Sequence, residues 1–526
     1  MKFDFQRLAC SLLGSLLFRL LPLECLQPSH DLEQDTVKSI AIVGAGSAGL
    51  AMLKSLLDLP PEIRANWDIV LYEQRRDVGG IWLPDPSPTP PPELPETPLY
   101  PLLYTTTPVP VMTYPGFPFP PGTPLFPLHE YIEQYHRDYV TRHDLWPYIR
   151  LNHTVLSSSW AGTSKAGHWE IVVEDHNGDR IQRSFDHLVV ANGHNHEPHI
   201  VVFAGQETWL EKTKHGLQRE ILHSIWYRDP SRYVNQTVVV VGSGASGVDI
   251  ASQVSQYARK VYLSVRSTAE RAPTGPVEMK PEISHFTSDD VVFADGSTAQ
   301  DVDTILLGTG YDLRVPFLEE GREVVVKPKS NETDENRLTT NLRYLFPLHR
   351  HIFSLSASYP TNALAFIGLP ILALSCPSDT AQSVYATSII ANGSLLAPRA
   401  ELLRELADSE EDLRRRGYDP YHVGHRMVDN STFDYQDDLI RTLRLREGSS
   451  DENTRFVEPW RREILNYIGI LKRGWKRLEA LGQAEEWLEG VESEEEWADL
   501  MKRVDAWQRD WEAEHQLVYL NDILVY

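Results

Sequence analysis

The chain carries two β-branched apolar runs of buried-strand type, Ser39-Ile40-Ala41-Ile42-Val43 and Thr237-Val238-Val239-Val240-Val241. Each passes directly into a glycine-rich loop and then into a helical period. The pattern around the first predicts β-α-β: a strand at 39–43, a helix from about Ala48 to Leu57 ended by Pro60-Pro61, and a strand from Trp67 to Tyr72. A second unit starts at Thr237 and reaches an apolar run at Lys260–Arg266. Between them, alternation predicts strands at 169–174 and 180–185 joined by an Asn177-Gly178 turn, then an apolar strand at 187–191. Tyr131, Ile132, Tyr135 and Tyr139 give 128–145 a helical period. Short strands recur at 291–293, 304–307 and 363–367, and a helix is expected from about Asp379. Pro84, Pro86, Pro88, Pro90, Pro91, Pro92 and Pro95 make 84–98 a loop, read as an exposed surface insertion. From Ala400 onward the pattern is helical, acidic and rich in tryptophan, without a repeat.

The two loops are Gly44-Ala45-Gly46-Ser47-Ala48-Gly49 and Gly242-Ser243-Gly244-Ala245-Ser246-Gly247. In such a loop the first glycine permits the turn and the second lets backbone approach a pyrophosphate. The third brings helix close to strand, and the helix N-terminus supplies amide donors. One fingerprint alone is a weak signal; two in strand–loop–helix context point to two dinucleotides on one chain. Glu73 ends the strand after the first loop, where a carboxylate accepts from ribose hydroxyls, which selects FAD or NAD. Arg266 holds the matching place after the second, where a guanidinium pairs with a 2′-phosphate, which selects NADPH. Asp249, in the first turn of the second helix, would repel a phosphate and is read as a capping or packing residue.

Composition removes some alternatives. The formal net charge of −24 disfavours nucleic acid as a partner. The three cysteines, Cys10, Cys25 and Cys376, form no Cys-x-x-Cys pair, and no Cys/His group has metal-ligand spacing, so no metal is expected. Lys2 and Arg7 precede an uncharged run from Leu8 to Phe18, which favours a signal peptide or N-terminal anchor over an amphipathic docking helix. Sequons at Asn152, Asn235, Asn331, Asn392 and Asn430 favour the secretory pathway or an endomembrane over the cytoplasm.

Beyond the loops, a series of motifs occurs in a fixed order. Glu73 is followed by Gly79-Gly80-Ile81-Trp82, then Met112-Thr113-Tyr114-Pro115-Gly116-Phe117-Pro118-Phe119, then Ala191-Asn192-Gly193-His194 with Pro198. His223-Ser224-Ile225-Trp226-Tyr227-Arg228 precedes the second loop. Leu307-Gly308-Thr309-Gly310-Tyr311 and Ala365-Phe366-Ile367-Gly368-Leu369-Pro370, with Gln382, come after it. Over about residues 38–400 this order resembles the flavin-containing monooxygenases, in particular fungal metabolite-oxidising members. The resemblance implies an α/β fold of two Rossmann-like domains, an FAD domain with an inserted NADPH domain, plus a helical C-terminal extension. It divides the chain into a leader (1–30), an FAD part (31–230), an NADPH domain (231–330), an FAD return segment (331–400) and the extension (401–526). It also implies FAD and NADPH as cofactors and oxygenation of nitrogen or sulfur in a small molecule by O2, through a flavin hydroperoxide.

The FAD contacts it implies are Gly44–Gly49 (Ala45, Gly46, Ser47 and Ala48 included), Glu73, Gly80, Ile81, Trp82, Thr105 and Thr106. The NADPH contacts are Gly242, Ser243, Gly244, Ala245, Ser246, Gly247 and Arg266. Thr106, His223 and Tyr227 are expected to take part in the reaction, and Asn192 and His194 to lie at the crossing between domains. Two positions depart from the family pattern. The signature Phe-x-Gly-x-x-x-His-x-x-x-Tyr/Phe keeps His223 and Tyr227 but has Leu217 and Arg219 in its first two places. Thr106 stands where the family has an asparagine near the flavin, and a hydroxyl offers fewer hydrogen bonds than an amide. Peroxide release in place of oxygenation, Baeyer–Villiger oxygenation of a ketone, and a non-catalytic dinucleotide-binding role are the alternatives.

Overall fold

The computed structural model describes residues 37–214, 217–266, 276–328, 330, 334–450 and 455–517. The leader, Cys10, Cys25 and the Asn331 sequon lie outside the described residues.

Two sheets organise the chain, one mixed and one parallel. The larger orders its strands Leu348–His349, Phe353–Ser354, Leu364–Phe366, His187–Val190, Lys38–Val43, Trp67–Glu73 and Ile149–Leu151. Its central strands are parallel and buried on both faces, as the unbroken apolar run Ile40–Val43 requires. The smaller sheet is parallel throughout, in the order Glu220–His223, Thr304–Leu307, Thr237–Val241, Lys260–Ser264 and Val277–Lys280. The chain leaves the first sheet after Val190 and, Ile149–Leu151 having already joined it, returns at Leu348. The outward and return paths pair where Glu197–Pro198 meets Tyr311–Asp312 antiparallel.

This topology moves the expected boundaries. Glu220–His223 is an edge strand of the second sheet, not part of the first domain. The helix Pro316–Glu320 packs on the strand Thr154–Gly162 of the FAD side, so 311–330 do not belong to the NADPH domain. The packing is tight: a Cβ on Gly321 would stand 1.8 Å from the Ser158 carbonyl oxygen.

The C-terminal helices are not a separate layer. Phe433, Leu439, Trp475 and Trp497 share one buried apolar core with Ile40, Leu50 and Tyr385. Arg461, 1% exposed, reaches across to the Pro110 carbonyl (2.5 Å) and the Thr113 hydroxyl (2.9 Å), while Glu458 and Glu494 balance its charge.

The proline-rich loop is only partly a surface insertion. Residues 86–93 are exposed, but Pro95, Thr97, Leu99 and Tyr100 are buried. The Trp226 indole donates to the Glu93 carbonyl, Arg228 to the Thr97 carbonyl, and the Thr97 hydroxyl to the Ile81 carbonyl. Chain with few amide donors is thereby held by side chains donating to its carbonyls.

Candidate functional site: two dinucleotide cradles and the strap between them

The first loop sits where the sequence places it, and its glycines differ in purpose. Gly44 has φ +108°, and a Cβ there would meet the Ala191 carbonyl oxygen at 2.4 Å. A Cβ on Gly49 would stand 1.8 Å from the Gly44 carbonyl oxygen. Gly46 is different. It is the extended N-cap of the helix Ser47–Leu57, and a Cβ added there would meet Gly80 Cα at 3.5 Å, an ordinary contact. Neither backbone strain nor protein packing demands glycine at 46, and the helix N-terminus beside it suits a phosphate.

Glu73 is buried. Its two carboxylate oxygens accept from the backbone N–H of Ala45 (2.7 Å) and Arg75 (2.9 Å), so it braces the loop. Burial raises its pKa, and those donors oppose the rise. Each oxygen keeps a second acceptor position for a ribose hydroxyl. The turn Gly80–Trp82 is fastened by the Gly79 amide to the Ala45 carbonyl (2.9 Å) and by Arg75 to the Gly80 carbonyl (2.8 Å), with Ile81 exposed.

Two groups from distant segments meet this loop. The Tyr114 hydroxyl donates to the Ser47 carbonyl at 2.9 Å. Asp379, 3% exposed, bonds the Ser47 side chain, and burial pushes its carboxyl up to about 7. At neutral pH it therefore carries less negative charge next to a pyrophosphate than an ordinary aspartate would.

The second loop repeats the design. Gly242, at φ +110°, abuts the Gly308 carbonyl oxygen, and a Cβ on Gly247 would lie 2.0 Å from the Gly242 carbonyl oxygen. Gly244 caps the helix Ala245–Val254 with no side-chain cap, and nothing lies within 4 Å of where its Cβ would be. The middle glycines of both loops fit two pyrophosphates. Asp249 does not face that opening: it accepts from the Tyr100 hydroxyl (2.5 Å) and from Gln253 (2.8 Å). Arg266 follows the strand Lys260–Ser264, exposed, 3.5 Å from Glu282. Ser267, beside it, lies outside the described residues.

A strap joins the two cradles. Tyr100 and Leu102 hold the second helix through Asp249 and Gln253. Leu103 and Thr105 exchange backbone hydrogen bonds with His129 and Pro127 of the FAD side. Thr106, half-buried, therefore lies on chain that touches both domains. Among the described residues the buried Thr105 hydroxyl has no partner, as expected of a group that contacts a cofactor.

His223 and Tyr227 lie where the domains meet, each held by protein groups. His223 is buried; its Nδ1 accepts from the Ile225 amide (3.1 Å), leaving Nε2–H to donate to the Gly310 carbonyl (2.9 Å). Burial pushes its pKa down to about 4. With both nitrogens engaged by protein groups it fixes the crossing. Tyr227 is fully buried against Tyr100 and Tyr233, its hydroxyl on Gln253. Both residues set how the domains meet. In the signature's former glycine position, Arg219 is buried and donates to the carbonyls of Trp209, Ser288 and Asp289. The Asn192 side chain donates to the Arg314 carbonyl at the crossing (3.2 Å).

Two sheets, each opening a glycine loop onto a helix N-terminus and joined by a paired crossing, define a two-dinucleotide oxidoreductase. The family model for flavin-binding monooxygenase-like proteins matches residues 37–271 and 268–446, and the chain belongs to this family. It is 28% identical over 459 residues to the flavin-containing monooxygenase FMO GS-OX-like 2 of Arabidopsis thaliana, covering 83% of this chain and 89% of that one. It is 25% identical to the human flavin-containing monooxygenase 5 over 457 residues, 72% and 78% of the two chains. Among solved structures, the S-allyl-L-cysteine S-oxygenase of Allium sativum superposes with a TM-score of 0.69 at 23% identity, over 91% of this chain and 99% of that one. The chain is a flavin-dependent monooxygenase that uses FAD and NADPH.

Proposed function

We propose that the chain oxygenates a nitrogen or sulfur centre in a small molecule, with NADPH as reductant and O2 as oxidant. The observation that carries this reading is the pair of cradles whose middle glycines, Gly46 and Gly244, are required by neither backbone strain nor protein packing. FAD, when bound, supplies the hydride acceptor and the means of activating O2. The protein's own residues bind, orient and exclude water. The amides of the helix Ser47–Leu57 take the FAD pyrophosphate, and Glu73 takes a ribose hydroxyl. The Gly242–Gly247 loop takes NADPH and Arg266 its 2′-phosphate. Tyr100 and the Leu103–Thr107 strap close the space between them, and His223 holds the crossing in register. The S-oxygenase of Allium sativum supports sulfur as one target.

NADPH consumption, product and peroxide measured together over a panel of amines, thioethers and ketones test this. Oxygenated amine or thioether matching NADPH consumed supports the proposal; ester or lactone from ketones alone overturns it in favour of Baeyer–Villiger chemistry. A second reading, NADPH oxidation with release of peroxide, is favoured by Thr106 in place of an amide. It predicts peroxide equal to NADPH with every compound in the panel.

The N-terminal apolar run and the sequons at Asn152, Asn235, Asn392 and Asn430 support placement in the secretory pathway or on an endomembrane. Among the described residues no helix is long and apolar enough to cross a membrane. A glycosidase-sensitive mass would bear the placement out, and an unglycosylated cytosolic protein would refute it.

A further inference from the structure

A chain of net charge −24 gathers four basic side chains at one place. Arg266 comes from the strand end of the NADPH domain. Arg343 lies in the 341–344 turn, and His422 and Arg426 lie on the 420–427 segment, both outside that domain. Arg343 Nη1 stands 3.1 Å from His422 Nδ1. The two outer segments are locked together: the Asn341 amide donates to the Tyr421 carbonyl, and a Cβ on Gly424 would meet the Arg343 carbonyl oxygen at 2.3 Å. Arg426 is anchored by its own backbone, through the Ile371 pairing and an Nη1 bond to the Val423 carbonyl. Among the described residues neither Arg343 nor Arg426 has a carboxylate partner, and Arg266 has only the exposed Glu282. Burial, and after it the charges of Arg343 and Arg266, lower both Arg426 and His422 below their ordinary pKa, while the Asp419 carboxylate opposes this at His422. An anion placed among these positive groups would relieve their mutual repulsion.

We infer that Arg343, His422 and Arg426 form the far wall of the 2′-phosphate site, so that NADPH is gripped across the domain boundary and not by the nucleotide domain alone. The inference rests on the reading of Arg266 as the near wall. A dianionic phosphomonoester fits the cluster, because at least two guanidinium groups from separate elements can each give it charge-assisted hydrogen bonds. The clamp makes the phosphate, absent from NADH, the group that draws the NADPH domain onto the 341–344 and 420–427 segments. Cofactor choice thereby becomes a property of domain closure as well as of the strand end.

The test titrates FAD-loaded protein with 2′,5′-ADP and with 5′-AMP, for the wild type and for Arg266→Ala, Arg343→Ala and Arg426→Ala. Flavin content and thermal midpoint check the fold. The expected result is a wild-type preference for 2′,5′-ADP that falls about 10-fold in each variant, with 5′-AMP affinity changed less than 2-fold. Arg426→Lys should restore part of the preference. If Arg266→Ala loses the preference while Arg343→Ala and Arg426→Ala keep it, the clamp is wrong and the strand-end reading stands. A wild type without preference overturns both. Should Arg426→Ala fail to fold, Arg343→Ala and Arg426→Lys decide alone, and undiminished preference in both overturns the clamp.

Discussion

Replacing Gly244 and Gly247 with alanine, three residues apart in one loop, should do opposite things. At Gly244 the backbone is extended (φ −68°, ψ 175°) and nothing lies within 4 Å of a new Cβ. Alanine there is neutral or stabilises by up to about 1 kcal/mol, because it restricts the unfolded chain. The new methyl instead occupies the ground where a pyrophosphate meets the helix amides. Losing one or two charge-assisted hydrogen bonds of about 1.5–3 kcal/mol each weakens NADPH roughly 10- to 1000-fold or more. At Gly247 the Cβ would stand 2.0 Å from the Gly242 carbonyl oxygen, more than 1 Å inside an ordinary contact of roughly 3.5 Å. The helix must move off the strand, at a cost of about 1–3 kcal/mol. The assay is a thermal melt of the flavin-loaded protein beside a titration with NADP+. The reasoning fails if Gly244→Ala binds NADP+ like the wild type, or if Gly247→Ala melts with it.

Thr106→Asn should lower the peroxide formed per NADPH consumed, since it restores the amide to the strap; an unchanged or higher ratio removes Thr106 from the reaction. His136, His187 and His223 are buried and each is pushed down to about 4 by that burial. The folded values are depressed, so the unfolded chain binds more protons between about pH 4 and 6.5. Stability is present above about 6.5 and lost as pH falls through that window, by on the order of 3 kcal/mol per histidine at most. A thermal midpoint that stays flat from pH 7 to 4.5 would contradict this. Arg461→Ala should cost about 3–5 kcal/mol, because it leaves the Pro110 carbonyl, Thr113, Glu458 and Glu494 without their shared donor; a denaturation midpoint within error of wild type would show that the C-terminal helices dock without it.

Features encoded in neighbouring residues were legible in the sequence. The glycine loops, the Asn177-Gly178 turn and the strands Arg180–Phe185, Val291–Phe293 and Thr304–Leu307 fall where residue pattern places them. The helix expected from Asp379 instead begins at Ser375, because Pro377 lies in its first turn, where a missing N–H costs no helical bond. The strand Thr154–Gly162 escaped because Ser157-Ser158-Ser159 breaks the apolar alternation, yet the backbone pairs along Gly167–Glu174. What sequence could not give is contact between distant residues. Asp379 meets Ser47 and Arg461 meets Thr113 only through the fold, and the four basic groups come from three separate segments. His223 was visible as a motif residue, but only the Gly310 carbonyl and Ile225 amide at its two nitrogens show how it joins the crossing.

The central claim is that one chain holds FAD on Gly44–Gly49 and NADPH on Gly242–Gly247 in hydride contact. An anaerobic titration of the purified protein with NADPH tests it most directly. The account predicts a yellow protein whose visible flavin band bleaches stoichiometrically with NADPH, in the wild type but not at the same concentrations in Gly244→Ala. A colourless protein that takes up no added FAD, or a flavin that NADPH leaves oxidised, would contradict it.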